Sequence, residues 1–125
     1  MSGIEKRKHP RISLSVPVSC VSITENGSSL NFNMGVVKDV SQSGVALEVY
    51  CELASDSDLV LLSYVDAAGK TIELRGKAVY SQKNDSGTIK LGVSLLGEPP
   101  ENIDFVRGLV RFHHYTKKST RTGAD

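Results

Sequence analysis

Two short runs of residues carry the side chains best suited to chemistry. The first is Lys6-Arg7-Lys8-His9-Pro10-Arg11, which contains an R-x-x-x-R. The second is Asp39-Val40-Ser41-Gln42-Ser43-Gly44, a D-x-S-x-x-G. Arg7 and Arg11 supply two planar guanidinium forks. Each fork matches phosphate oxygens bidentately, matches the adjacent O6 and N7 acceptors of guanine equally well, and stacks on a purine plane. Asp39 supplies a carboxylate, the complement of a donor edge such as the N1–H and N2–H of guanine. Ser41 supplies a hydroxyl that bonds a phosphate or braces the turn, and Gly44 permits a backbone conformation or a close approach that a Cβ would block. Together these are the parts needed to hold an anionic purine nucleotide.

Spacing supports joint action. Pro10 disfavours the helical region at His9, so the N-terminal run is extended. In an extended chain an even separation points side chains the same way, and Arg7 and Arg11 are four apart. Taken singly, a basic run is a solvated tail and D-x-S-x-x-G is a turn closed on its own backbone. Their order, one hairpin apart in an all-β context, is what points to a ligand.

The elements that position them follow from hydropathy. Ile12, Leu14, Val16, Val18 and Cys20 alternate with polar residues and Pro17, which predicts a half-buried strand with an edge or a bulge near the proline. Asn26-Gly27 marks a hairpin. Leu30, Phe32, Met34 and Val36 alternate again, and the phase blurs at Gly35-Val36-Val37, as at a bulge. Val45, Leu47 and Val49 predict a third strand, residues 51–57 a polar loop, and Leu59 to Val65 a fourth strand. Asp66-Ala67-Ala68-Gly69 is a turn, a fifth strand runs from Ile72 toward Tyr80, Asn84-Asp85-Ser86-Gly87 is a turn, and Ile89 to Leu95 is a sixth strand. Beyond Pro99-Pro100 the period becomes helical, with Ile103, Val106 and Val110 on one face beside Phe105, Leu109 and Phe112. Six short strands and one terminal helix predict a small antiparallel barrel, since closure removes exposed edges. The expected organisation is a flexible ligand-binding arm over 1–11, the barrel with its C-terminal helix over 12–118, and a disordered tail over 119–125.

At 125 residues the chain fits one domain with a modest core. A net charge of +1 gives no global field for nucleic acid. No DNA or RNA partner is expected, and the few aromatics argue against a barrel that stacks single-stranded bases. No apolar run approaches the ~20 residues of a membrane span, and no apolar stretch follows the basic N-terminus as in a secretory signal, so a cytoplasmic protein is expected. Cys20 and Cys51 are expected to be reduced thiols. His113 and His114 are adjacent and diverge by about 100° on a helix, so they do not face one metal. His9 is taken as solvated. No phosphate loop, nucleophile–base arrangement or carboxylate pair is evident. No catalysis, metal or cofactor is expected.

The sequence resembles the PilZ family of bacterial receptors for cyclic di-GMP over nearly its whole length. The resemblance rests on Arg7 to Arg11, on Asp39 to Gly44 with the strand Val45-Ala46-Leu47-Glu48-Val49, and on Leu91-Gly92-Val93-Ser94-Leu95. It implies a six-stranded antiparallel barrel with a C-terminal helix, and an arginine arm that folds over the ligand while the D-x-S-x-x-G turn holds a guanine. By that match Lys6, Arg7, Arg11, Asp39, Ser41 and Gly44 bind cyclic di-GMP. A basic residue before the first arginine, here Lys6, goes in this family with an intercalated pair of ligands. Tyr80 falls where some members place an aromatic beside the guanine, although as a residue it reads as part of the barrel with a solvated hydroxyl. The implied role is a receptor whose arm changes conformation and signals to a protein effector in motility, biofilm formation or a related process. The alternative is a PilZ-like adaptor that binds partners and no nucleotide.

Overall fold

A computed structural model describes residues 11–23, 29–50 and 59–124; of these, 29–33 and 117–124 are described in their backbone only. The expected arm, the Asn26-Gly27 turn and the 51–57 loop lie outside these residues. Six strands follow in order: β1 (Ile12–Ile23), β2 (Ser29–Val40), β3 (Gly44–Val49), β4 (Leu59–Val65), β5 (Thr71–Lys83) and β6 (Ile89–Leu95). They close into an antiparallel barrel in the order β1-β2-β3-β6-β5-β4, and the helix α1 (Pro99–Ala124) follows.

The expected turns form for local reasons. The Asp66 carboxylate accepts from the Ala68 and Lys70 backbone N–H groups, each at 2.9 Å, and Gly69 takes the left-handed φ of 85°. Gly87 does the same at 94° after Asn84. Pro99 and Pro100 open α1, and the Glu101 carboxylate accepts from the Glu98 N–H at 2.8 Å, the returning half of a capping box. The helical backbone of α1 runs through residues 119–124. No proline or glycine falls between Gly108 and Gly123.

The core fills the barrel with inward residues at period two: Leu14, Val16, Val18 and Cys20 from β1, and Val45, Leu47 and Val49 from β3, with matching sets from the other strands. α1 adds Phe105, Val106 and Leu109, all buried, at helical spacing. It sits at the end where β1 begins and β4 ends. There the Tyr64 hydroxyl donates to the Phe105 carbonyl at 3.2 Å, and the two rings meet edge to face at 5.3 Å.

β1 pairs with β4 only over Ser19–Ser22. Pro17 therefore lies on a stretch bonded to β2 alone, where a missing donor costs least. The register shift in β1 falls between Ser13 and Val16, just before the proline. At that shift the Ser15 N–H donates to His113 Nδ1 of α1 at 3.2 Å, so the helix supplies an acceptor where β1 has left β4.

Candidate nucleotide-binding site

Two further bulges decide what the outer wall of the barrel presents. In β2 the inward positions run Gly35, Val37 and then Val40. The register against β3 shifts between Val37 and Asp39, so Lys38 is the extra residue. A strict alternation would aim Asp39 into the core. The bulge reverses the phase and turns it out. In β5 the inward set Ile72, Leu74, Gly76 and Ala78 would continue to Tyr80, but the register against β6 shifts between Ala78 and Tyr80. Val79 is the extra residue and Tyr80 also turns outward.

The pairings then place four residues in one row across four strands. Asp39 pairs with Ala46, Ala46 with Gly92, and Gly92 with Tyr80. Three interstrand steps make this row roughly 14 Å wide. Its ends are a carboxylate and an aromatic ring, and its middle is two of the smallest residues. The Tyr80 ring lies over Gly92, where an added Cβ would stand 2.1 Å from Cε2. Small side chains in the middle thus let a flat group approach the wall.

The Asp39–Ser41–Gly44 turn borders this row. The Ser41 N–H donates to the Gly44 carbonyl at 2.9 Å, and the Ser41 hydroxyl lies 3.5 Å from the same oxygen, which makes it chiefly a brace of the turn. The Ser43 carbonyl accepts from the Leu95 N–H at 2.9 Å and ties the turn to β6. Gly44 does not have positive φ. Its need is close approach, because a Cβ would meet the Val93 carbonyl oxygen at 3.0 Å. Of the two roles open to this glycine, the fold selects the second.

Arg11 Nη1 donates to Asp39 Oδ1 in an ion pair, with the arginine side chain 43% and the aspartate 23% exposed. A cleft of about 190 Å³ follows, lined by Arg11, Ser41, Gly44, Tyr80, Gly92 and Ser94 among others. It thus gathers Arg11, Ser41 and Gly44 on one wall, with Asp39 held beside them by its ion pair. Lys6 and Arg7 lie outside the described residues. Tyr80 is brought to the same cleft, although period two would aim it into the barrel. The signal that could have found it is Gly92, an outward glycine in a strand, which marks close approach by a neighbour. Ser43 and Ser94 are further lining residues with no cue in the sequence beyond the turn itself.

The chemistry of this wall is a fork, a carboxylate with one oxygen engaged, a hydroxyl and a ring over a glycine. It suits a planar base with a donor edge and a nearby anionic group. The volume is below the ~300 Å³ of ordinary small-molecule pockets, so a nucleotide here needs a second wall. Among the described residues no group of histidine, cysteine or acidic side chains is arranged to hold a metal. No described helix is long and apolar enough to cross a membrane.

Comparison with known proteins gives the same class. The model of the PilZ domain family matches residues 5–112. The chain belongs to the PilZ family. Among solved structures it is similar to the PilZ domain of YcgR from Escherichia coli with c-di-GMP, at 14% identity and a TM-score of 0.57, covering 96% of this chain and 98% of that one. It is similar to the PilZ domain of CeSA from a cellulose-synthesizing bacterium, at 18% identity and a TM-score of 0.51, covering 86% and 98%. It is also similar to MrkH of K. pneumonia in its apo state, at 19% identity and a TM-score of 0.51, covering 90% of this chain and 55% of that one. At these identities the structural likeness speaks for the fold. No curated protein matches the chain in sequence.

Proposed function

We propose that this protein is a receptor for cyclic di-GMP that passes the signal to a protein partner by ordering its N-terminal arm. The observation that carries this is the meeting of Arg11, Asp39, Ser41, Gly44 and Tyr80 at one cleft too small to enclose a nucleotide alone. Asp39 Oδ1 is engaged by Arg11, leaving Oδ2 to accept from the donor edge of guanine. Tyr80 offers its ring to the base, and Arg11 has further N–H groups for a phosphate. Arg7, four residues before Arg11, supplies the second fork, and the arm that carries it is the missing wall. Family membership and the nucleotide in the similar YcgR domain support the choice of ligand. The arm over 1–11 would pass from a free to an ordered state on binding, a disorder-to-order switch. Lys6 before the first arginine favours two stacked ligands per domain. The role is binding without catalysis, with cyclic di-GMP as ligand and no cofactor, and the expected compartment is the cytoplasm.

Calorimetric titration with cyclic di-GMP, with GTP and cyclic di-AMP as controls, tests this. Selective saturable binding is expected, with a stoichiometry of two. Arg7→Ala and Arg11→Ala are each expected to weaken binding at least tenfold, the scale of one charge-assisted contact at about 1.5–3 kcal/mol, with Tm nearly unchanged in Arg11→Ala because Arg11 is exposed and outside the core. Absence of binding at low salt would leave the partner-only adaptor as the function.

A further inference from the structure

Another cleft lies between α1 and the β4–β5 hairpin and encloses about 500 Å³. Its floor is apolar: Tyr64, Ile72, Leu74, Phe105 and Phe112. Both walls are acidic. Asp66 and Glu73 stand on the barrel side, and Glu101 and Asp104 on the helix side. Among the described residues Arg111 is the one cation in the lining, and Tyr115, 59% exposed, stands beside it further along the helix.

Among the described residues the four carboxylates of the lining outnumber its one cation. Among the described residues the ion pair is Arg11–Asp39, on the other cleft. Asp66 and Glu101 accept from backbone N–H groups of their own turns, and the carboxylates of Glu73 and Asp104 have no hydrogen bond or ion pair among the described residues. The chain as a whole is close to neutral, at +1, so the negative field is local to this groove. Gly108 lets the Tyr64 hydroxyl come within 2.0 Å of where a Cβ would stand, so the helix packs closely on β4 at the groove.

We propose that this groove docks a cationic amphipathic segment of a partner protein. One or two apolar side chains of that segment rest on the Ile72–Leu74–Phe105–Phe112 floor, and lysines or arginines on either side reach the carboxylates of both walls. This names the chemistry of the partner in the proposed function and rests on that reading only for its signalling role. Among the described residues the nucleotide cleft and the groove share no lining residue.

The test uses the ¹⁵N-labelled full chain, with and without cyclic di-GMP. Two synthetic peptides are titrated: one alternating leucine or phenylalanine with lysine and arginine, and one with glutamate in place of each cation. The cationic peptide is expected to shift the amides of Ile72, Glu73, Leu74 and the 104–115 segment saturably, and the acidic one to leave them unmoved. Glu73→Lys and Asp104→Lys together should weaken the cationic peptide at least tenfold and leave calorimetric binding of cyclic di-GMP unchanged, which separates failure at the groove from failure at the nucleotide site. Shifts of equal size with both peptides, or away from the groove, overturn the proposal. So do groove shifts that arise without peptide when Lys6 and Lys8 become glutamate, since the arm of this chain would then be the occupant. Concentration-dependent groove shifts without peptide would give the groove to a second copy and likewise overturn it.

Discussion

Tyr80 is the residue on which the site reading turns. It is 43% exposed, unusually open for an aromatic whose strand phase points inward, and its ring covers Gly92. If the ring is the wall against which a guanine stacks, Tyr80→Ala should weaken cyclic di-GMP by about 5- to 150-fold, the worth of ~1–3 kcal/mol of base–aromatic stacking. Stability should barely change, since no core contact is lost. Gly92→Ala tests the same geometry from the other side. Its Cβ would fall 2.1 Å from the ring, so the tyrosine must swing away and affinity should fall in step with Tyr80→Ala. Titration of both variants decides the point, and wild-type affinity in Gly92→Ala would remove Tyr80 from the site.

At the scale of elements, the contact between α1 and β1 has a readable consequence. The Ser15 N–H sits at the bulge that precedes Val16, and its acceptor is His113 Nδ1. That geometry requires the neutral ring with its proton on Nε2. His113→Ala should cost about 1 kcal/mol, the net worth of one hydrogen bond. It should also speed hydrogen exchange of the Ser15 amide by an order of magnitude while amides at Val45 and Leu91 keep their protection. Unchanged exchange at Ser15 would show that the helix does not hold the start of β1. The point matters because Arg11 lies directly before β1, so the same strand joins the helix to the nucleotide cleft.

For the molecule as a whole, burial sets a pH dependence. The Cys20 thiol is fully buried in the barrel, and burial pushes its pKa up from 9.0 to about 11. Tyr64 is pushed from 10.0 to about 12, by burial first and then by the Asp66 carboxylate, with Arg111 opposing. In both cases the folded state holds its proton to higher pH than the unfolded chain. Stability is therefore fully present below pH 9, falls as the unfolded thiol ionises, and goes on falling between pH 10 and 12 as the tyrosine joins it. Urea unfolding at pH 7.5, 9 and 10.5 should show this decline, and Cys20→Ala should flatten its first part. A wild-type profile level to pH 10.5 would contradict the buried thiol.

Period-two hydropathy was enough to place the six strands, although in β2 the alternating set through Met34 and Val36 lies on the outer face while Gly35 and Val37 face the core. Turn chemistry at Asp66–Gly69 and Asn84–Gly87 was equally local, set by an aspartate that bonds its own backbone and by glycines that take positive φ. The types at Arg11, Asp39, Ser41 and Gly44 suggested the chemistry proposed for the site before any fold was considered. The sequence could not say which way Asp39 and Tyr80 face. That depends on the extra residues Lys38 and Val79, whose bulges are visible only against the partner strands β3 and β6. Nor could it show the row Asp39–Ala46–Gly92–Tyr80, or the acidic groove between α1 and β4–β5. Both arise between segments far apart in the chain. Local composition determines which face of a strand is apolar, while register and packing between strands decide which side chains meet.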